Sequence, residues 1–294
     1  MSNTPSDIQA SIGIGITTKD RWDCLAVTLE KLRQHNLSGL ETIVIDDGSN
    51  EPMPTVFRER FPWVMFERSE NSRGYIAQRN RLAHLLTSQL YLSLDDDSYP
   101  KTNARLADAA AWLIGQQDAV ALAFSIQSPS EEAEGLTRAA APYPVRFYIG
   151  CAHMLKRELF CHLGGYTESL LHYGEEVDFA LKAWKRGFHV YKYPSVVVFH
   201  DRSPIGRNAA NANRLLTRNE IWISFWRSPY PILFVQLLIR VPKMLRYRTH
   251  RLQWKAVLQG YFHALFGAFR VAKYRDALSV ERYCAWLRKP IERH

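Results

Sequence analysis

Three adjacent carboxylates, Asp95, Asp96 and Asp97, directly follow the apolar run YLSL at residues 91–94. Neighbouring carboxylates repel one another, and a protein relieves this repulsion by binding a hard cation or by leaving the groups in water. Carboxylate oxygens, with waters and substrate phosphates, are the usual ligands of Mg²⁺. An isolated run of three aspartates is more often a solvated turn. Here the preceding strand and a second acidic loop favour a metal site.

The second acidic loop is DDGS at residues 46–49, which follows the β-branched run TIVI at 42–45. Asp-Gly pairs are common in turns, so this loop alone is a weak signal. A carboxylate at a strand end can also accept hydrogen bonds from a base N–H or from ribose hydroxyls. Thr17 and Arg21, at the end of the first strand, could add nucleotide contacts. The sequence contains neither a P-loop nor GxGxxG after the first strand, which argues against P-loop and NAD-binding proteins.

A third set of carboxylates, Glu175, Glu176 and Asp178, lies at the predicted start of a helix. Acidic residues in a first turn are stabilised by the helix dipole, which is a purely structural explanation. The functional explanation is that a carboxylate here faces an acceptor and removes its proton as general base. His200 ends a strand of β-branched residues. A single histidine is often structural, but imidazole is also a common metal ligand.

Buried-looking strands alternate with helical patterns along the first two thirds of the chain. Strands are predicted at residues 11–16, 42–45, 91–94, 119–124 and 189–200, and a mobile loop at 127–142. The first helix carries Leu25, Leu29 and Leu32 on one face. This alternation predicts an α/β fold with a mostly parallel, Rossmann-like sheet flanked by helices. Ligands of such sheets bind beyond the carboxyl ends of the strands, where the acidic loops fall.

An ordered set of segments resembles family 2 of the inverting glycosyltransferases, which have the GT-A fold. The segments are TTKDR, VIDDGS, NSRGYIAQRN, LSLDDDS, GCAHMLKRELF with GGY, GEEVDFALKAWKRG and FH. Each segment is weak alone, but their ordered combination across residues 11–203 is specific. The resemblance implies that a sugar moves from a nucleotide diphosphate donor to a hydroxyl acceptor, with a divalent metal, Mn²⁺ or Mg²⁺, as cofactor.

The resemblance also implies roles for individual residues. Those implied to contact the nucleotide are Thr17, Arg21, Asp46 or Asp47, Arg79, Asp95 and Asp96. Asp95 and Asp97 form the DxD element that reaches the metal and the diphosphate, with His200 as a further metal ligand. The Glu-Asp motif of the family, whose second residue is usually the base, falls on Glu175-Glu176. Glu176 is therefore the expected base, and Glu175 is the alternative because Glu is one methylene longer than Asp.

The charge of the chain is divided unequally. Residues 1–201 hold 20 Lys and Arg against 25 Asp and Glu, whereas residues 202–294 hold 18 against 4. This split indicates two functional parts, the second adapted to a negatively charged partner. Together with the resemblance, which spans residues 11–203, it predicts a flexible tail at 1–10, a catalytic domain at 11–203 and a helical basic region at 204–294. The first ten residues show no pattern for export, and the four scattered cysteines are expected to be reduced thiols of a cytosolic protein.

The basic region interleaves aromatic and aliphatic residues with Arg and Lys. Its longest strongly apolar stretch, 231–239, is about half the length that crosses a bilayer, so no transmembrane helix is predicted. Helices of this composition tend to lie in the interface of an anionic membrane, which predicts a peripheral location on the inner face of the cell membrane. Packing on the catalytic domain or formation of a homo-oligomer is the alternative. A nucleic-acid surface is the least favoured.

The sequence thus predicts an inverting hexosyl- or deoxyhexosyltransferase of cell-surface polysaccharide or lipopolysaccharide synthesis. The donor is expected to be UDP- or dTDP-linked, and the acceptor to be a glycan or a lipid-linked glycan. A nucleotidyltransferase of similar fold is an alternative, but it needs a basic, glycine-rich phosphate loop that TTKDR does not supply. A non-catalytic membrane- or nucleic-acid-binding protein is the other alternative, and the intact DDD, the glutamate pair and His200 argue against it.

Overall fold

Runs of apolar, often β-branched residues form the strands, and each run ends where polar residues begin. The computed structural model describes residues 11–130, 140–201, 209–236, 238–239 and 254–291. The predicted tail at 1–10, the predicted boundary between residues 203 and 204, and the central part of the predicted loop at 127–142 lie outside the described residues.

The described residues form one sheet of nine strands. In chain order these are β1 (Ile12–Thr18), β2 (Glu41–Asp46), β3 (Val64–Arg68), β4 (Leu90–Asp95), β5 (Ser98–Pro100), β6 (Ala119–Gln127), β7 (Tyr143–Val145), β8 (Ala152–Lys156) and β9 (His189–His200). Across the sheet the order is β3-β2-β1-β4-β8-β6-β9-β5, and β7 also pairs with β9. Strands β5, β7 and β8 run against the other six. The predicted α/β class with a mostly parallel sheet is confirmed, although β8 interrupts it.

Helices cover both faces of the sheet. They are α1 (Trp22–Gln34), α2 (Val56–Arg60), α3 (Tyr75–Leu85), α4 (Leu106–Gly115), α5 (Arg157–His162), α6 (Glu175–Lys185), α7 (Ala209–Arg227), α8 (Trp254–Val271) and α9 (Val280–Leu287). The predicted face of α1 is fully buried in a core that also contains Val44. Ile43 and Ile45 point to the opposite core, with α3, α5 and α6, because successive residues of a strand face opposite sides.

The parallel strands β1, β2 and β4 end at the same edge of the sheet. Thr17 of β1 pairs in register with Asp95, the last residue of β4. Thr18 pairs in the same way with Asp46, the last residue of β2. The fold therefore brings the two predicted acidic loops together at the edge where ligands of α/β sheets bind.

Helix α7 belongs to the core of the predicted catalytic domain. Trp222, Ile223 and Trp226 lie in the same hydrophobic core as α3, α5 and α6. Helix α8 packs along α7 at Gly260, where a Cβ atom would stand only 2.6 Å from the carbonyl oxygen of Arg214. Packing on the catalytic domain, the alternative for the basic region, is therefore observed for α7. Among the described residues, no helix has both the length and the hydropathy needed to cross a bilayer.

Candidate active site

Two of the three adjacent carboxylates are buried and paired with Arg21. The guanidinium lies 2.6 Å from Asp97 Oδ2 and 3.3 Å from Asp96 Oδ1, and Thr18 Oγ1 donates to Asp96 at 2.8 Å. Burial raises the pKa of Asp96 to about 7 in spite of these contacts. Burial also opposes ionisation of Asp97, but hydrogen bonds from His200 and Arg21 outweigh it and lower the pKa of Asp97 to about 2. The chain thus relieves part of the carboxylate repulsion with its own cation.

Arg79 joins the carboxylates at the sheet edge to those of helix α6. Its side chain is 3% exposed, with Nη2 at 2.5 Å from Asp95 Oδ1 and Nη1 at 3.0 Å from Glu175 Oε1. The guanidinium also lies 4.6 Å from the ring centre of Tyr75, whose hydroxyl donates to Glu175 Oε2 at 3.0 Å. Both ends of a buried cation are therefore neutralised by protein groups. The predicted contact of Arg79 with the nucleotide stays a prediction.

The two glutamates differ in exposure. Glu175 is fully buried, whereas Glu176 is half-buried. Gly150 allows the close approach of Glu176, because a Cβ atom at position 150 would stand 2.7 Å from both Glu176 Oε1 and Arg79 Nη1. Burial raises the pKa of Glu176, and burial together with the charge of Glu176 raises that of Glu175. Glu176 is thus the less buried residue of the pair, which favours it as the group that meets a substrate hydroxyl.

Asp95, Cys151 and His200 form a candidate metal site. One ligand atom from each lies within 4.8 Å of the others, and His200 Nε2 is 3.3 Å from Asp97 Oδ1. Carboxylate and imidazole donors suit Mn²⁺, and burial raises the pKa of Cys151, which keeps it a neutral thiol. The structure thus brings together the predicted metal ligands Asp95, Asp97 and His200, and their donor set fits a divalent cation.

The carboxylates at the end of β2, Asp46 and Asp47, stabilise the local structure. Asp46 accepts hydrogen bonds from the backbone N–H and the hydroxyl of Ser49, and its Oδ2 lies 3.1 Å from Arg68 Nη1. Asp47 accepts four hydrogen bonds, from Ser72 Oγ, the backbone N–H groups of Arg73 and Gly74, and Gln78 Nε2. These contacts fix the turn that leads into α3. Nucleotide contacts by Thr17, Asp46 and Asp47 stay predictions.

A strained loop leads into helix α6. Leu171, Tyr173 and Gly174 have positive φ angles of 61°, 70° and 88°, a conformation that residues other than glycine rarely adopt. The side-chain amide of Asn219, on α7, donates to three carbonyl oxygens of residues 170–173 at distances of 3.0, 2.7 and 2.7 Å. Helix α7 therefore holds the loop in front of the two glutamates in its strained form.

Three residues of this site were missed by sequence reasoning. Cys151 belongs to no cysteine pair and therefore gave no metal-binding pattern. Tyr75 could have been found from its position one helical turn before Arg79. Asn219 gave no local signal, because its hydrogen-bond partner Leu170 lies 49 residues away in sequence.

Several solved structures share the fold of this chain. A mannosyltransferase from Pyrobaculum calidifontis, solved with GDP-Man and Mn²⁺, has a TM-score of 0.61 at 16% identity, covering 87% of each chain. TarS 1–349 from S. aureus has a TM-score of 0.55 at 14% identity, covering 90% of this chain and 82% of that one. GalNAc-T7, solved with UDP, GalNAc and Mn²⁺, has a TM-score of 0.57 at 18% identity. That match covers 73% of this chain and 48% of GalNAc-T7, so this chain spans about half of its length.

These similarities show the GT-A fold, and the sequence shows the family. The profile of glycosyl transferase family 2 matches residues 14–166, just over half of the chain. The protein belongs to glycosyl transferase family 2. The predicted resemblance to family 2 with the GT-A fold is confirmed, and family membership decides for a glycosyltransferase against the nucleotidyltransferase alternative. No curated protein sequence matches the chain.

Proposed function

We propose that the protein is an inverting, metal-assisted transferase that moves a hexosyl or deoxyhexosyl unit from a UDP- or dTDP-linked donor to a hydroxyl of a glycan or lipid-linked acceptor. The observation that carries this proposal is Arg79, which joins the strand-end carboxylate Asp95 to the Glu175-Glu176 pair. A transfer reaction needs one group of residues for the leaving group and another for the acceptor proton. Two carboxylate groups on either side of a fixed cation suit that division.

The donor side is the carboxyl edge of β1, β2 and β4. The residues proposed to contact the nucleotide are Thr17, Arg21, Asp46 or Asp47, Arg79, Asp95 and Asp96. Asp95, Asp97 and His200 would hold Mn²⁺ or Mg²⁺, which offsets charge on the diphosphate when bound. The low pKa of Asp97 keeps that ligand ionised at neutral pH. The Mn²⁺ bound in the mannosyltransferase and in GalNAc-T7 supports a metal here.

The acceptor side is the start of helix α6, with Glu176 as the general base. Its carboxylate takes the proton of the acceptor hydroxyl as the acceptor oxygen bonds to the anomeric carbon. The bond from that carbon to the diphosphate oxygen breaks, and its electron pair leaves with the nucleoside diphosphate. Attack opposite the leaving group inverts the anomeric centre and needs no protein nucleophile. Glu175, held by Arg79 and Tyr75, fixes the start of the helix.

The proposal includes a peripheral location on the cytoplasmic, inner face of the cell membrane, in the synthesis of cell-surface polysaccharide or lipopolysaccharide. It is supported by an apolar stripe of exposed side chains that lie along one face of α8. The stripe consists of Trp254, Leu258, Phe262, Leu265, Phe266 and Phe269. An amphipathic helix with an aromatic face, in the strongly basic part of the chain, suits an anionic lipid interface. Self-association through the same stripe is the alternative.

A panel of nucleotide sugars tests the transferase proposal. We expect one UDP- or dTDP-linked sugar to be hydrolysed or transferred in the presence of Mn²⁺, with a product of inverted anomeric configuration by NMR. The control is Glu176→Gln, which should bind the same donor without turnover. Donor binding with no turnover by the wild-type protein, for every sugar and acceptor tried, would contradict the proposal and favour a non-catalytic sugar-nucleotide-binding protein.

A further inference from the structure

A cavity of about 550 Å³ lies between helices α7 and α8, and its lining includes none of the carboxylates of the candidate active site. Two kinds of side chain dominate its lining. The basic ones are Arg218, Arg270 and Lys273, and the aromatic ones are Trp222, Phe266 and Tyr274. No Asp or Glu among the described residues lines it. The cavity is therefore both cationic and aromatic.

Arg218 is the buried cation of this cavity. It is 7% exposed, and its Nη2 donates to the carbonyl oxygens of Ser169 and Leu170 at 3.1 and 2.7 Å. Its guanidinium lies 4.3 Å from the ring centre of Trp222. Within the part of the chain that the structure describes, no carboxylate forms an ion pair with it. Carbonyl and ring contacts offset only part of the cost of burying a charge, and an anionic ligand would offset more.

Arg270 and Lys273 bring two exposed cations to the same cavity. Neither has a carboxylate within ion-pair distance among the described residues. Phe266, which is 80% exposed, belongs both to the cavity lining and to the apolar stripe of α8. The cationic cavity is therefore continuous with an exposed apolar surface. A ligand that matches both is anionic at one end and apolar at the other.

The cavity adjoins the loop that leads to the proposed general base. Ser169 lines the cavity and begins the loop that Arg218 and Asn219 hold. At the other end of that loop, the backbone N–H of Tyr173 donates to the hydroxyl of Tyr75 at 2.9 Å, and this hydroxyl donates in turn to Glu175. A molecule anchored in the cavity would therefore sit beside the acceptor side of the site.

We propose that this cavity binds the phosphate or diphosphate headgroup of an amphiphilic acceptor, whose apolar chain lies along the stripe of α8. The proposal rests on the proposed transferase function and deepens it by naming the class of acceptor, a sugar carried on a lipid phosphate. Arg218 and the two exposed cations bind the headgroup oxygens, since charge-assisted hydrogen bonds to phosphate are strong. The aromatic lining and Phe266 contact the first part of the chain.

Calorimetry with farnesyl diphosphate, kept below its micelle concentration and in EDTA, tests this site on the full-length protein. EDTA removes the divalent metal on which the nucleotide site depends. We expect farnesyl diphosphate to bind roughly tenfold or more tightly than inorganic diphosphate or farnesol, because each of these supplies only one of the two contacts. It should also bind more tightly than dihexanoyl phosphatidylglycerol, which represents a bulk phospholipid headgroup.

Two double variants that remove the same amount of charge distinguish binding in the cavity from attraction to net positive charge. Arg270→Gln with Lys273→Gln changes the cavity, whereas Lys255→Gln with Arg288→Gln removes two exposed cations outside it. We expect the first pair to weaken farnesyl diphosphate binding about tenfold and the second to leave it nearly unchanged. UDP binding in Mn²⁺, measured on the same samples, should be equal in all proteins.

Equal losses in the two double variants would overturn the proposal, because the attraction would then come from net charge alone. If inorganic diphosphate bound as tightly as farnesyl diphosphate, the apolar chain would contribute nothing and the ligand would not be an amphiphile. If the phosphatidylglycerol bound more tightly than farnesyl diphosphate, the cavity would be a site for bulk phospholipid. No binding of farnesyl diphosphate by a protein that still binds UDP would refute the cavity site and leave the transferase proposal standing. If the wild-type protein bound neither UDP nor dTDP in Mn²⁺, the transferase proposal itself would be refuted.

Discussion

Two regions of the molecule carry many charged residues: the carboxyl edge of β1, β2 and β4, and the helix pair α7–α8. They differ in whether those charges form ion pairs within the chain. At the sheet edge, Asp97 pairs with Arg21 and Asp95 pairs with Arg79. Along the helix pair, Arg270 and Lys273 have no ion-pair partner among the described residues. An edge whose carboxylates are held in place by fixed cations is preorganised for a small ligand. An exposed surface with unbalanced positive charge attracts anionic ligands.

The two regions also differ in where they keep apolar side chains. Ile16 and Leu94, near the ends of β1 and β4, are fully buried under the acidic edge. Phe262 and Phe269 of α8 are 57% and 93% exposed. Exposed apolar patches of this kind mark binding surfaces. We propose that the sheet edge carries the chemistry and that the helix pair serves as an anchor, and each prediction below tests one part of that division.

The largest effect is expected for Glu176→Gln, which removes the proposed base and keeps the shape of the side chain. We expect transfer to fall by about 10²-fold or more, with donor binding retained. Steady-state kinetics and a donor titration check this. The matched variant is Glu175→Gln, which lies one residue away and loses an ion pair with Arg79. Normal turnover by Glu176→Gln together with lost turnover by Glu175→Gln would assign the base to Glu175.

Asn219→Asp tests whether helix α7 positions the loop that leads to the two glutamates. Aspartate keeps the size of the side chain but cannot donate to the carbonyl oxygens of residues 170–173. The strained loop in front of Glu175 should then relax, and kcat should fall roughly tenfold, because small displacements of reacting groups are costly. KM for the donor should stay near the wild-type value, since no donor-side residue changes. An unchanged kcat would show that α7 supports the fold without positioning the site.

A smaller effect is expected from Phe262→Ser combined with Phe269→Ser on membrane binding. Both side chains are exposed on α8, so the fold should be retained, whereas truncation before α7 would remove Trp226 from the core. We expect co-sedimentation with anionic liposomes to fall several-fold, and the wild-type protein to keep part of its binding at high salt. Val56→Ser with Met65→Ser, at two sites on the catalytic part that are each 53% exposed, is the control. Equal pelleting of both double variants would contradict the anchoring role.

The smallest effect is expected for the pH dependence of the free energy of unfolding. It comes from His172, which lies in the loop before helix α6. Burial, with the charge of Arg79, lowers the pKa of His172 to about 4, whereas an unfolded histidine has a pKa of about 6.5. Between these values the unfolded chain binds a proton that the folded protein excludes, so this contribution to the free energy of unfolding falls as the pH drops. His172→Phe keeps the ring contact with Tyr75 and removes the titration.

Urea unfolding at pH 7, 6 and 5 measures this contribution as a difference between the two proteins. We expect the wild-type protein to lose stability relative to His172→Phe as the pH falls, by at most about 1.4 kcal/mol per pH unit. If the difference in unfolding free energy between the two proteins did not change with pH, the lowered pKa of His172 would be contradicted.

The sheet edge could be predicted from sequence because its signals are local. Each acidic loop follows a strand directly, so an alternating pattern and the rule for parallel sheets placed Asp46 and Asp95 at one edge. The antiparallel insertion of β8 between β4 and β6 depends on long-range pairing, and no local pattern specifies it. The ion pair of Arg79 with Glu175 joins residues 96 positions apart, and no local sequence pattern indicates it either. The helix pair was predicted from its composition, but composition could not separate the buried α7 from the exposed face of α8.

The most direct test of the central claim is a calorimetric titration of UDP and dTDP into the wild-type protein, in Mn²⁺ and in EDTA. If Asp95, Asp97 and His200 hold a metal that meets the diphosphate, one of the two nucleotides should bind roughly tenfold or more tightly in Mn²⁺. Asp97→Ala should lose that advantage and bind in Mn²⁺ as the wild-type protein binds in EDTA. Equal affinity of the wild-type protein in both conditions, or an unchanged advantage in Asp97→Ala, would contradict the account.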